Sequence, residues 1–399
     1  MSEIIQKSLA YHQGGKIAVT PKTSLESFED LSLAYSPGVA YPCLEIQANP
    51  LKSYDLTSKS NLVAVISNGT AVLGLGDIGA EASKPVMEGK SVLFKKFAKI
   101  DSFDIEINEK DPQKLISIIK AIAPTFGGIN LEDIKAPECF EIERALIEEL
   151  DIPVMHDDQH GTAIVSTAAL LNASKIVNKE LQDLKVVIIG AGASAISCAK
   201  MYKSFGVQHI HMFDSQGLIN HLRSDLTPQK QEFISQKTFA SYQEALKGAD
   251  VLLGLSRANI LTQEDIKEMA PNPLLFVLSN PNPEIAPELI KEVRPDAIVA
   301  TGRSDYPNQI NNVLAFPYLF RGALDVRASK ITENMKKACS IALAQLAQEE
   351  VPQELCKLYQ RDLSFGKDYI IPMPFDLRLL PKLSEAVAQS AKSDGVARI

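Results

Sequence analysis

Apolar runs alternate along the chain with stretches of helical period, and most of the runs end in small or polar residues. Residues 61–67 and 185–189 are rich in β-branched side chains, which predicts buried strands. Residues 111–122 repeat apolar positions at the spacing of an amphipathic helix. Regular alternation of strand and helix indicates parallel sheets covered by helices on both faces. We therefore expect an α/β protein with its ligands at the carboxyl ends of the strands.

The same pattern divides the chain into three parts, because 399 residues are too many for one hydrophobic core. A helix of small residues over 162–177 leads into the second set of strands. We expect an N-terminal α/β substrate and catalytic domain over residues 1–160 and a Rossmann-type domain with a doubly wound parallel sheet over 161–325. A helical C-terminal segment over 326–399 should pack back on both. Within the first domain, residues 71–77 predict a further strand or strand end.

The strand over residues 185–189 is followed at once by the pattern Gly-x-Gly-x-x-Ala, which is typical of a dinucleotide-binding turn. Gly190 permits the tight turn, Gly192 lets the backbone approach a pyrophosphate, and Ala195 lets the next helix pack close to the strand. The phosphates would lie on the first helical residues, Ala193 and Ser194, where free N–H groups attract negative charge. An ordinary glycine turn is the alternative.

Asp214 closes the next apolar segment, residues 209–213, at about the 20-residue spacing where the dinucleotide pattern places an acid. A carboxylate there would accept hydrogen bonds from the adenosine ribose hydroxyls and repel a 2′-phosphate. We therefore expect NAD as the cofactor. NADP stays open as the alternative, because Ser215 and Lys230 could offset the repulsion. A turn residue before Gly217 is the other interpretation of Asp214.

Composition narrows the choice of partner. The formal net charge is −8, and an acidic chain has no general affinity for nucleic acid or anionic membranes, so we expect a small-molecule partner. The five cysteines are scattered and lack C-x-x-C spacing, which predicts neither a disulfide framework nor a zinc knuckle. No apolar run approaches the roughly 18 residues of a membrane span, and the N-terminus has no basic leader pattern. We therefore expect a cytoplasmic protein.

Acids gather at the predicted strand ends. Three carboxylates, Glu132, Asp133 and Asp158, could form an all-oxygen site for Mg²⁺ or Mn²⁺. Each alone could equally cap a helix N-terminus. His156 and His160 have the spacing of a zinc-hydrolase helix, but that motif has Glu rather than Asp after the first histidine and lies within a regular helix. The sequence therefore favours a hard cation over zinc.

Lys90 lies in a predicted helix between Gly89 and the apolar residues 92–94. Burial can lower the pKa of such an amine towards neutrality and let it act as a base. Tyr35 has a weaker case, since a tyrosine before Ser-Pro-Gly is usually a packing residue.

Taken together, several segments resemble malic enzyme in its short bacterial form. They occur in the expected order over nearly the whole chain, at residues 33–40, 73–79, 84–90, 130–133, 156–163, 278–281 and 311–312. The resemblance implies oxidative decarboxylation of (S)-malate to pyruvate and CO₂, with reduction of a nicotinamide cofactor and a required divalent metal.

The resemblance also implies roles for individual residues. The three carboxylates named above would hold the metal. Lys90 would remove the proton of the C2 hydroxyl, and Asp157 would hold and tune Lys90. Tyr35 would protonate C3 of enolpyruvate. Asn280 and Asn312 would hold the substrate carboxylates or the nicotinamide side of the cofactor.

One position departs from the pattern of the larger relatives, which carry an arginine where this chain has Ala71. The malate carboxylate would then need other donors, such as Ser67, Asn68 or backbone N–H groups. Two alternative functions remain: a malolactic-type decarboxylation of malate to lactate, and a nucleotide-sensing module without catalysis. The retention of Tyr35, Lys90 and the three acids disfavours the second. We expect a homodimer or a larger homo-oligomer.

Overall fold

The computed structural model describes residues 3–72 and 74–399; Met1, Ser2 and Leu73, the last of them in segment 73–79, lie outside the described residues. The strands are β1 (Leu62–Ser67), β2 (Asp101–Glu106), β3 (Gly128–Leu131), β4 (Val154–His156), β5 (Lys185–Ile189), β6 (His209–Asp214), β7 (Gly217–Leu218), β8 (Val251–Gly254), β9 (Leu274–Val277) and β10 (Ile298–Thr301). The helices are α1 (Glu3–His12), α2 (Phe28–Ala34), α3 (Ala40–Ala48), α4 (Ser53–Leu56), α5 (Ala80–Ala98), α6 (Pro112–Ile122), α7 (Glu138–Glu149), α8 (Asp157–Ile176), α9 (Ala193–Ser204), α10 (Pro228–Gln231), α11 (Tyr242–Leu246), α12 (Gln263–Lys267), α13 (Pro287–Val293), α14 (Phe316–Asp325), α15 (Glu333–Gln348), α16 (Gln353–Tyr359) and α17 (Leu379–Ser393).

The first sheet has the strand order β2-β1-β3-β4, and all its pairs are parallel. β1 is buried along its whole length, as its β-branched residues predict. Val63 packs in one core with Phe94 of α5, and Ile66 packs in a second core with Ile119 of α6. Helices therefore cover both faces, and the carboxyl ends of β1, β3 and β4 lie side by side.

The second sheet has the order β10-β9-β8-β5-β6-β7, in which only the β6–β7 pair is antiparallel. The chain runs from β5 to β6 on one side and returns to β8 on the other. This doubly wound topology confirms the predicted Rossmann-type fold. It places the turn after β5 at the switch point where such sheets bind ligands.

Helix α8 links the two sheets and starts at Asp157, earlier than the predicted residue 162. Acidic residues in its first turn favour this early start because they interact well with the helix dipole. The C-terminal helices pack against it as expected: the buried side chain of Asn172 donates to the carbonyl oxygens of Ala344 at 2.9 Å and Ile370 at 2.8 Å. The predicted domain boundary at residue 160 falls inside α8 and stays a prediction.

The strand predicted over residues 71–77 is wrong. The described residues there form a loop closed by a single bridge between Val72 and Gly76. Gly74 and Gly76 have φ values of 71° and 77°, in the left-handed region, which turns the chain instead of extending it. The alternating apolar residues of this loop imitate a strand pattern.

Residues 3–49 form an N-terminal arm that contains α1, α2 and α3. None of the residues in these helices is buried, and the side chains of Phe28 and Tyr35 are 89% and 72% exposed. The arm is attached to α5 through the backbone N–H of Lys16, which donates to the Glu88 carboxylate at 2.8 Å. The arm thus presents several apolar side chains on its surface. Among the described helices, none has the length and apolar character needed to span a membrane.

Candidate active site

Lys90 lies at the centre of a buried cluster of charges. It comes from the middle of α5 and is only 7% exposed. Its Nζ donates a hydrogen bond to Oδ2 of Asp157 at 2.6 Å and lies 2.9 Å from Oε1 of Glu132. The amine also lies 4.3 Å from the centroid of the Phe316 ring, within range of a cation–π interaction. The side chain is thus held between carboxylates that follow two neighbouring strands.

The three predicted metal ligands are brought together beside this lysine. Glu132 and Asp133 follow β3, and Asp158 lies in the first turn of α8 directly after β4. One oxygen from each lies within 4.8 Å of the others. The N–H of Asp133 donates to Oδ2 of Asp158 at 2.7 Å. Asp133 has a φ of 53°, a left-handed conformation that is rare for residues other than glycine and that concentrates at functional sites.

Burial and the repulsion of neighbouring carboxylates raise the pKa values of Glu132 and Asp133. Burial, with the like charge of Asp158, raises the pKa of Asp133 to about 8. The pKa of Glu132 is also raised, chiefly by burial. The pKa of Lys90 is raised as well, which corrects the expectation that burial would lower it. Burial alone acts in that direction, but the carboxylates of Asp157, Glu132 and Asp158 together outweigh it.

The cluster has the donor set of a hard divalent cation. Four buried or half-buried carboxylates, from Glu132, Asp133, Asp157 and Asp158, surround the single positive charge of Lys90. Oδ2 of Asp133 is buried and has no hydrogen-bond partner among the described residues. Carboxylate oxygens are the preferred ligands of Mg²⁺ and Mn²⁺. The residues present therefore fit such an ion, whose charge would balance the excess of acids.

Asn312 completes the support of Asp157. Its side-chain amide donates to Oδ2 of Asp157, the oxygen that also accepts from Lys90. Gly161, one turn along α8, leaves room for this contact. A Cβ on Gly161 would lie 2.2 Å from Oδ1 of Asp157 and 2.7 Å from Cβ of Asn312. The structure thus joins three predicted site residues from three separate parts of the chain.

The turn after β5 has the geometry expected of a dinucleotide site. Gly190 has a φ of 113°, and a Cβ there would lie 2.2 Å from the carbonyl oxygen of Leu255. No heavy atom lies within 4 Å of the Cβ position of Gly192, so the approach to the N-terminus of α9 is open. Ala195 is buried against the core, where a small side chain lets α9 pack close to the sheet.

This turn touches the acidic cluster directly. The hydroxyl of Ser194 donates to the backbone carbonyl of Asp158. Ala193 packs against the core of the first sheet. The candidate cofactor and metal sites are therefore neighbours.

Asp214 ends β6 as predicted, but its carboxylate is already bound by two cations. Arg223 donates to it twice, at 2.7 and 3.1 Å, and Lys230 donates at 2.6 Å. Burial alone would raise the pKa of Asp214, but these cations hold it at about 2. The negative charge expected to repel a 2′-phosphate is therefore compensated.

The remaining predicted residues differ in their surroundings. Asn280 lies in the loop after β9 and faces the loop over residues 71–77, which we call the glycine loop. A Cβ on Gly74 would lie 3.4 Å from the backbone carbonyl oxygen of Asn280. Ser67 ends β1, Asn68 follows it directly, and both are buried. Oγ of Ser67 accepts a backbone N–H at 2.9 Å, and the Asn68 amide donates to a backbone carbonyl and accepts from Thr70. The polar groups of both side chains are thus engaged by other groups of the protein, in the case of Asn68 by the distant carbonyl of Glu109.

Tyr35 is not brought into the cluster by its own chain. It lies on the N-terminal arm and is 72% exposed, whereas Lys90 is buried. The arm is anchored to α5 at Glu88, two residues before Lys90. Two residues correspond to about 200° around an α-helix, so the anchor lies on the face opposite the site.

Sequence reasoning missed three side chains that support these groups. Asn130 donates to Glu132 at 2.8 Å from within the buried strand β3, and a polar residue in such a strand is a usable signal. Glu143 interrupts the apolar face of α7, which is a similar signal. Arg223 lies in an irregular segment, where no periodic pattern could single it out.

Comparison with known proteins agrees with this geometry. The model of the malic enzyme N-terminal domain matches residues 14–147, and the model of the malic enzyme NAD-binding domain matches residues 159–360. The chain is 55% identical to the NADP-dependent malic enzyme of Escherichia coli (strain K12), over 99% of this chain and 53% of that protein. It is 49% identical to the NAD-dependent malic enzyme of Geobacillus stearothermophilus, over 99% of this chain and 80% of that one. The chain spans about half the length of several curated relatives it matches.

The fold has a close counterpart among solved structures. The crystal structure of malic enzyme from Pyrococcus horikoshii superposes with a TM-score of 0.91 and 45% sequence identity, over 99% of this chain and 92% of that one. The same two domain models follow each other in the order of the two sheets described above. The chain therefore belongs to the malic enzyme family.

Proposed function

We propose that this chain catalyses the oxidative decarboxylation of (S)-malate to pyruvate and CO₂ with reduction of NAD(P) and a divalent metal. The observation that carries the proposal is the buried amine of Lys90, 2.6 Å from Asp157 and beside the three carboxylates of Glu132, Asp133 and Asp158. The neighbouring dinucleotide turn and the names of the two relatives support it.

Lys90 and Asp157 act as a pair in the first step. As hydride leaves C2 of malate for the nicotinamide, Lys90 takes the proton of the C2 hydroxyl and passes one of its own protons to Oδ2 of Asp157. The raised pKa of Asp157, which burial causes, suits this carboxylate to accept it. Asn312 donates to the same oxygen and fixes its direction. The expected partner of Lys90, Asp157, is thus retained, but the pair takes the place of a lysine whose pKa is lowered by burial.

The second step breaks the bond to the carboxylate beside C3. A Mg²⁺ or Mn²⁺ ion held by Glu132, Asp133 and Asp158 would supply Lewis-acid stabilisation of the resulting enolate. Asn280, in the loop that faces the glycine loop of the first domain, and Asn312 hold the substrate carboxylate or the nicotinamide amide. Protonation of C3 of enolpyruvate by Tyr35 then gives pyruvate.

That last role requires a second copy of the chain. The N-terminal arm exposes its apolar residues, and the side chain of Tyr35 is 72% exposed, whereas the cluster around Lys90 is buried. In a two-fold dimer each arm can cover the partner and deliver its tyrosine to the partner's site, since a two-fold interface uses the same surfaces on both subunits. The proposed enzyme is thus a homodimer, or a larger assembly of such dimers, whose two sites are each built from both chains.

The cofactor choice depends on Asp214. The sequence predicts NAD because a free carboxylate would repel the 2′-phosphate of NADP. With Arg223 and Lys230 bound to that carboxylate, the pocket can accept a 2′-phosphate as well as a free diol. We propose that both cofactors are used, and the preference for NAD stays a prediction to be measured.

The deciding experiment measures malate-dependent formation of NADH and NADPH with and without Mn²⁺. EDTA should abolish turnover, and added Mn²⁺ or Mg²⁺ should restore it. Lys90→Met should lower kcat by about 10²–10⁴-fold, the usual contribution of a positioned base. Lys96→Met, on an exposed position of the same helix, is the matched control and should keep wild-type turnover.

The alternatives give different products in the same assay. Malolactic chemistry would consume malate and release lactate with no NADH, and a nucleotide sensor would bind cofactor without consuming malate. Either result would overturn the proposal.

A further inference from the structure

Glu143 places a carboxylate in the apolar face of α7. Its neighbours at helical spacing, Cys139, Ile142 and Leu146, are buried and apolar. Glu143 itself is only 6% exposed. Burying a charged group is costly unless its oxygens are well bound, so packing alone does not account for this residue.

The Glu143 carboxylate binds both ends of one short segment. Its Oε1 accepts the backbone N–H of His156 at 2.8 Å. Because β4 is the edge strand of its sheet, this N–H needs an acceptor outside the sheet. Nε2 of His160 lies 3.1 Å from Oε2. Between these two anchors lie Asp157 and Asp158.

The network continues to the C-terminal helices. Nζ of Lys336, on α15, lies 3.1 Å from Nδ1 of His160 and 2.8 Å from Glu333. A single tautomer of His160 satisfies both neighbours: Nε2–H donates to Glu143, and Nδ1 accepts from Lys336. Lys336 is 4% exposed, whereas the side chain of Glu333, at the outer end of the network, is exposed.

We propose that Glu143 is a positioning residue, which fixes the junction between β4 and α8 so that Asp157 meets Lys90 and Asp158 meets the metal. The inference rests on the proposed function. Its physical basis is that the first turn of α8 must hold two carboxylates at once, Asp157 against Lys90 and Asp158 beside the other candidate metal ligands. Groups that orient metal ligands in this way commonly change metal affinity or activity by about 10–100-fold when they are removed.

The test measures Mn²⁺ affinity in the intact chain, by electron paramagnetic resonance of free Mn²⁺, together with Tm. Glu143→Ala should raise the Kd for Mn²⁺ by about tenfold or more. Glu143→Gln keeps an oxygen for the His156 N–H but loses the charge that faces His160, so its Kd should lie between those of the wild type and Glu143→Ala.

Two variants on the same helix are controls. Ile142→Ala opens a cavity beside Glu143 and should lower Tm while leaving Mn²⁺ affinity unchanged, which separates loosened packing from lost positioning. Glu148→Gln lies on the exposed side of α7 and should change neither quantity.

The outcomes distinguish this inference from the proposed function. If Asp158→Asn weakens Mn²⁺ binding but Glu143→Ala and Glu143→Gln bind it like the wild type, the positioning role is overturned and the metal site stands. If Glu143→Ala does not fold, the isosteric Gln variant decides alone. An unchanged affinity in Asp158→Asn would remove the metal site itself and this inference with it.

Discussion

Replacing Gly161 with alanine should remove most turnover while leaving the fold intact. The added methyl group would lie 2.2 Å from Oδ1 of Asp157, whereas ordinary contact begins near 3.4 Å, so this oxygen must move by about 1.2 Å. The methyl group would also lie 2.7 Å from Cβ of Asn312. The other oxygen of the same carboxylate accepts from Lys90 at 2.6 Å. The displacement therefore reaches the amine of Lys90, the proposed base.

The expected magnitudes separate catalysis from stability. A misplacement of about 1 Å at a reacting group can cost about 10²-fold in rate. Overpacking costs about 1–3 kcal/mol. Alanine regains about 1 kcal/mol over glycine inside a helix. We expect kcat for malate-dependent NAD(P) reduction to fall about 100-fold while the free energy of unfolding falls by no more than about 2 kcal/mol.

Gly89→Ala is the matched control, because Gly89 also lies inside a helix near the site. The atom nearest to its Cβ position is Nζ of Lys16, at an ordinary contact distance of 3.5 Å. This variant should keep wild-type turnover and melt at the same temperature or higher. Wild-type kcat in Gly161→Ala, in protein shown to be folded, would refute the link between the position of Asp157 and catalysis.

Three further predictions concern the cofactor, the dimer and pH. Lys230→Ala removes a cation 2.6 Å from Asp214 and should lower kcat/KM for NADP about tenfold relative to NAD; an equal fall for both cofactors would contradict this. Tyr35→Phe and Lys90→Ala chains should each be impaired in turnover. After subunit exchange in an equal mixture, about a quarter of all sites should be active again, because about half of the dimers are mixed and each mixed dimer has one intact site. No recovery would show that the tyrosine acts within its own chain. Burial and the neighbouring Asp104 raise the pKa of Glu106 to about 7. Between about pH 4.5 and pH 7 the folded state therefore holds a proton that the unfolded state has lost, and the free energy of unfolding falls as the pH rises through this window. Glu106→Gln should therefore raise Tm at pH 8 and not at pH 4, whereas an equal shift at both values would count against the cause.

The strands and the cofactor turn were predictable because their signals are local. In a parallel sheet covered by helices, both faces of a strand are buried, so its sequence is a continuous apolar run. The β-branched runs of β1 and β5 have this pattern and therefore predict buried strands. Gly190 was predictable for a similar reason, since its positive φ and its close approach to Leu255 exclude any side chain. The three acids at the strand ends also follow, because parallel strands end at one edge.

What escaped prediction depends on groups that are distant in sequence. The raised pKa of Lys90 comes from carboxylates after β3 and β4, and only the strand order reveals that they surround it. Arg223 escaped prediction for a different reason: it is only nine residues from its partner Asp214, but it lies in an irregular segment without a periodic pattern. The role proposed for Tyr35 extends beyond one chain, so its local sequence pattern could not specify it.

The hydrogen bond from Ser194 to the carbonyl of Asp158 connects the candidate dinucleotide site to the candidate metal site. Binding free energies at the two sites can be coupled through this contact. A ligand that orders the first turn of α9 would, through this hydrogen bond, also order the backbone of Asp158. A metal ion bound by Asp158 would order the first turn of α9 in the same way. For ligands coupled through this contact, linkage requires that the dinucleotide change metal affinity by the same factor by which the metal changes dinucleotide affinity. Positive coupling of this kind would let a dinucleotide and a metal ion fill the two candidate sites together, at concentrations where either ligand alone would leave its site largely empty.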